Sequence, residues 1–75
     1  MKRYGNSSGK SGVSAYEIED RSVTIRFVTG ETYVYTYRKP GKSAVEQMKK
    51  LAEAGKGLST FISQKVRDRF DRKLD

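Results

Sequence analysis

Cysteine and histidine are both absent from the 75-residue chain. Without cysteine there is no disulfide and no thiolate metal site, which suits a reducing compartment. Without histidine the usual general base and the commonest metal ligand are missing, so any chemistry would fall to carboxylates, lysine and tyrosine. The two absences together argue against an enzyme and against a cofactor or bound metal. Large apolar residues are scarce as well. Leu, Ile, Val and Phe total 15, at the edge below which a highly charged chain fails to order, so order has to come from their placement. No apolar run approaches the roughly 18 residues of a membrane span, and the first residues lack the apolar core of a secretion signal. The expectation is a soluble cytoplasmic protein without membrane contact.

Positive charge is what the chain has in excess. Sixteen Lys and Arg against nine Asp and Glu give a net charge of +7. Such a surface attracts polyanions at long range and loses them in salt, which makes the phosphate backbone of RNA or DNA the leading partner. The same excess also serves solubility alone.

One small domain is all that this length allows. Residues 1–12, MKRYGNSSGKSG, are rich in Gly, Ser and Asn with interspersed cations, and read as a flexible basic arm ahead of a domain over 13–75. Three runs of β-branched and aromatic residues follow, VSAYEI, SVTIRFV and ETYVYTY; turn signals separate them, and together they predict a three-stranded antiparallel meander. Pro40 and Gly41 end the sheet. Ser43 to Glu46 has the spacing of a capping box, and Val45, Met48, Leu51 and Ala52 recur at helical intervals up to a stop at Gly55. A second helix is expected from an N-cap at Ser59, with Phe61, Ile62, Val66 and Phe70 facing inward. The fold class is α+β, in the order β-β-β-α-α, with both helices on one face of the sheet.

The hairpin between the second and third runs decides where the tyrosines point. A two-residue loop at Thr29-Gly30 would place Arg26 opposite Tyr33 and leave both faces half polar. A three-residue loop, Val28-Thr29-Gly30 with Gly30 in a left-handed conformation, places Ile25 opposite Tyr33 and Val23 opposite Tyr35. One face then gathers Val23, Ile25, Phe27, Tyr33, Tyr35 and Tyr37, and the other Thr24, Arg26, Thr32, Val34 and Thr36. Two helices can cover only one side of so small a sheet, so the second register is expected. The tyrosines become core, and no aromatic platform is left for stacking bases.

With Ile25-x-Phe27, the Gly30 turn and Tyr33-Val34-Tyr35 in place, the chain resembles the KTSC domain. That family is named for its place at the C-terminus of some lysyl-tRNA synthetases, and it also occurs as free-standing bacterial and phage proteins. The resemblance runs from Ser11-Gly12-Val13 through Tyr33-Val34-Tyr35 to the glycine-aromatic segment Gly55-Lys56-Gly57-Leu58-Ser59-Thr60-Phe61-Ile62, where the asparagine often found in the family is absent. It implies a small module with no catalytic residue, for which RNA binding has been suggested.

Three local features bear on function. Gly5-Asn6-Ser7-Ser8-Gly9-Lys10-Ser11 is like a phosphate-binding P-loop, yet has three residues between its glycines where four are needed, and lacks both the strand before and the helix after. In the acidic cluster Glu17, Glu19 and Asp20, Glu17 and Glu19 share a strand face without a third ligand at a useful spacing, and the cluster reads as a surface strand and turn. On a helical projection Lys65, Arg69, Arg72 and Lys73 fall within an arc of about 100°. This strip, with Lys56, Arg26 on the polar sheet face and Lys10 of the arm, is the candidate contact for RNA or DNA phosphates. A module that binds a protein partner instead is the alternative.

Overall fold

The second hairpin adopts the three-residue loop. In the computed structural model, which describes residues 1–5 and 12–74, Phe27 N–H donates to the Glu31 carbonyl at 2.8 Å and Gly30 N–H to the Phe27 carbonyl at 2.9 Å. Gly30 has φ 99°, a conformation that a Cβ would oppose. The register that follows pairs Ile25 with Tyr33 and Val23 with Tyr35, as the two-face argument requires.

The sheet has five strands rather than three, in the spatial order of the sequence and antiparallel throughout. They are β1 (Lys2–Arg3), β2 (Val13–Glu19), β3 (Ser22–Phe27), β4 (Thr32–Thr36) and β5 (Arg72–Leu74). Helix α1 (Lys42–Ala54) and the short α2 (Leu58–Phe61), continued by a π-helical turn over Ile62–Val66, lie between β4 and β5. The helices pack on one face, where Val23, Ile25 and Tyr35 are 0–1% exposed and share a cluster with Val45, Met48 and Leu58. A register shift between Val13 and Ala15 explains how β2 serves both faces. By placing one extra residue in the strand, it leaves Ala15 beside Arg26 while Val13 turns back into the core.

Two sequence expectations change here. Residues 1–5 are no loose arm. Lys2 and Arg3 pair with Tyr16 and Ala15, and Tyr4 is buried at 3% exposure with its hydroxyl accepting the Leu58 N–H at 3.2 Å. A phenol that fills the core and satisfies an unpaired N–H at a helix start outweighs the chain entropy suggested by the composition around it. Residues 6–11, with Lys10 and the P-loop-like run, lie outside the described residues.

The second helix is the other change. It does not reach residue 70. The π-turn closes with Arg67 N–H on the Ile62 carbonyl, and Arg67 itself takes φ 55°. The chain then reverses so that Phe70 meets Tyr33 at 4.5 Å and Tyr35 at 6.4 Å between ring centroids. The aromatic contacts and the ladder between β4 and β5 replace about two turns of exposed helix. Helix starts differ too. Gly41 and Gly57 precede α1 and α2, and neither receives a side-chain cap. The Ser43 box and the Ser59 cap are therefore not formed, although Gly55 ends α1 in the left-handed conformation as expected.

Candidate nucleic-acid interface

The face of the sheet away from the helices carries Arg3, Arg26 and Arg72. Opposed residues in adjacent antiparallel strands share a face, so the pairings Arg3↔Ala15, Ala15↔Arg26, Arg26↔Thr32 and Thr32↔Leu74 form one row across all five strands. The next row is Glu17, Thr24, Val34 and Arg72, and a third holds Glu19, Ser22 and Thr36. Arg3, Arg26 and Arg72 are exposed on this face. With strands about 4.8 Å apart, Arg3 and Arg26 stand about 10 Å from each other and Arg26 and Arg72 about 12 Å.

Among the described residues none of these three arginines has a carboxylate within ion-pair distance. Arg26 Nε donates to the Thr32 hydroxyl at 3.4 Å, a contact that steers the side chain without neutralising it. Glu17 shares a row with Arg72 and lies 4.0 Å from the Met1 amino group, and Asp71, next to Arg72 in the chain, feels its charge while bound to Thr36 and Arg38. Val34 and Thr32, at the middle of the face, are 5% and 6% exposed. Strand β5 makes β4 an inner strand, with Arg26 and Arg72 on the two strands that flank it.

The helical strip read from the sequence is not a strip. Lys65 lies on the π-turn, and Arg69 follows it and donates to the Lys65 carbonyl at 3.0 Å. Arg72 and Lys73 are neighbours in β5 and so point to opposite faces. Lys73 belongs to the helix side, over the Tyr33 ring at 5.9 Å and 3.4 Å from Glu31. Lys56 is exposed in the glycine loop between the helices. Of the candidates named from sequence, Arg26 and Arg72 share the sheet face away from the helices, while Lys65 and Arg69 lie together at the π-turn. Arg3, the third member, was hidden in a segment read as an arm.

Two polar clasps hold the surface in place from the helix side and the edge. The Tyr37 hydroxyl donates to Glu46, which also accepts from Lys49 at 2.9 Å, while Lys49 reaches the Asp20 carbonyl at 2.8 Å. The hydrogen bond from Tyr37, then that from Lys49, keeps the Glu46 carboxyl below its usual range, and the same bond raises the Tyr37 phenol. Glu46 is thereby engaged away from Ser43. At the edge, Asp71 accepts from the Thr36 hydroxyl at 2.9 Å and from Arg38 at 3.2 Å, contacts that lower its pKa in that order. Its backbone N–H binds the Val34 carbonyl at 2.8 Å, and this fixes where β5, and with it Arg72, begins.

A separate open groove of about 610 Å³ lies beside the start of α1, lined by Pro40, Lys42, Ser43, Gln47, Phe61 and Lys65 among others. Among the described residues no helix is long and apolar enough to cross a membrane. The chain matches no protein-family model, no curated protein and no solved structure.

Proposed function

We propose that this protein is a small non-catalytic nucleic-acid-binding module that holds phosphates on its open sheet face. The observation that carries the reading is the set Arg3, Arg26 and Arg72: three exposed guanidinium groups with no carboxylate in ion-pair contact among the described residues, on strands that fix their spacing. A guanidinium fork matches two phosphate oxygens at once and is weakly hydrated, so it binds phosphate better than a lysine at the same place. The net charge of +7 adds long-range attraction. Among the described residues the face offers guanidinium groups for phosphates and hydroxyls such as Thr24, with no ring for a base, which suits positioning on a backbone rather than reading of sequence. The resemblance to the KTSC domain, with its suggested role at RNA, points the same way.

Contacts of this kind give dissociation constants of about 1–100 µM at physiological salt, weakening steeply as salt rises. The test is a fluorescence-anisotropy titration of labelled RNA and DNA, repeated at two salt concentrations. Arg3→Gln, Arg26→Gln and Arg72→Gln combined should weaken binding at least tenfold and flatten its salt dependence. A control with the same loss of charge elsewhere, Lys50→Gln, Lys56→Gln and Arg67→Gln, should retain more affinity. Equal losses in both variants would mean that net charge, not this face, attracts the polyanion. An absence of binding at low salt would defeat the reading and leave a protein partner.

A further inference from the structure

We infer that the arginine face takes a double-stranded nucleic acid in preference to a single strand. The inference rests on the proposal above and concerns which form of polyanion the same surface fits. Proteins that hold single strands pair a basic groove with aromatic rings, and the stacking of unpaired bases on those rings offsets the cost of ordering a flexible backbone. This protein has the rings, but they face the other way. Tyr16 and Tyr35 are buried under the helices, and Phe27, Tyr33 and Phe70 form one edge-to-face and tilted aromatic group on that same side. By register, the three rows of the open face contain Arg, Thr, Ser, Glu, Ala, Val and Leu and no aromatic residue.

The spacing of the cations points in the same direction. Arg3 and Arg72 sit on the two outer strands, four strand steps and one row apart, about 20 Å between backbones. Arg26 lies between them. A sheet cannot shorten these intervals, so the surface favours a partner whose phosphates are already held at fixed intervals and whose bases are already stacked on each other. The long outer side chains can reach the two backbones that border a groove of about 12 Å, with Arg26 above the gap. A single strand would have to be straightened over the face with nothing gained from its bases.

The experiment compares wild-type protein on four labelled probes of equal length: duplex DNA, duplex RNA, oligo-dT and oligo-U, at about 50 and 200 mM salt. Duplexes of one or both kinds should bind at least tenfold more tightly than the single strands. For duplex DNA the logarithm of affinity should fall against the logarithm of salt with a slope near −2.7, three phosphates at about −0.9 each. The two duplex arms distinguish a B-form from an A-form partner, and preference for either supports the inference. Single strands bound as tightly as duplexes or more so would overturn it while leaving the phosphate-binding function intact. Failure of all four probes would overturn both. Variants with Arg3→Lys, Arg26→Lys and Arg72→Lys keep the charge and sharpen the result: the salt slope should persist while duplex affinity drops severalfold.

Discussion

The two faces of this sheet are built from the same five strands and obey opposite rules. On the helix side, Val23, Ile25 and Tyr35 have almost no exposure and each touches a shared apolar cluster. On the other side, Arg3, Arg26 and Arg72 are exposed, with no carboxylate in ion-pair contact among the described residues. The difference lies in what each face has to exclude. One face must shed water to fold, so volume matters there; the other keeps its exposed cations in water, so charge matters there. A chain this poor in apolar residues can line only one face, and every ring is committed to it.

Substitutions should therefore separate cleanly by face. Tyr35→Ala, which empties the centre of the core, should cost about 3–5 kcal/mol and leave the protein largely unfolded in a urea titration. Phe70→Ala removes the ring that ties the C-terminal segment to Tyr33 and Tyr35. It should cost about 2 kcal/mol, with faster amide exchange concentrated in β5. Gly30→Ala, in the left-handed turn that sets the register, should cost about 1 kcal/mol by thermal melting even though nothing lies within 4 Å of the added methyl.

Acid should act through the clasps. Asp71 and Glu46 have folded-state pKa values below their ordinary ones, so each contributes stability that is present above the unfolded value. That contribution fades as pH falls through about 4 toward the depressed folded-state values. A stability profile against pH should show this decline, and Asp71→Asn with Glu46→Gln should flatten it. The smallest effect belongs to the open face. Arg3→Gln, Arg26→Gln and Arg72→Gln should each change stability by no more than about 0.5 kcal/mol, as equilibrium denaturation would show, while binding suffers. A large loss of stability there would show that the face is structural.

The register of the central hairpin was legible because each alternative made a different pair of surfaces, and Ile25, Tyr33, Val23 and Tyr35 had only one arrangement that kept them together. The outer strands were not. Lys2–Arg3 and Arg72–Leu74 are too short to display an alternation, and their pairing depends on distant anchors, Tyr4 under α2 and Phe70 on Tyr33. The helical spacing of Phe61, Ile62, Val66 and Phe70 was real as a pattern, yet Phe70 reaches the core after a reversal at Arg67. An apolar residue at the right interval does not reveal by which path it arrives. The candidate interface was partly visible for this reason: Arg26 stood on a strand that could be read, while Arg3 and Arg72 stood on strands that could not.

The bond between the Tyr4 hydroxyl and the Leu58 N–H joins residues 54 positions apart. Contacts of such long range are assembled only after a large loop has closed, which slows the search for the native state. During synthesis the first strand has no partner for its phenol until Leu58 has left the ribosome. A chain that stops short of Leu58 therefore lacks the N–H that meets the Tyr4 hydroxyl.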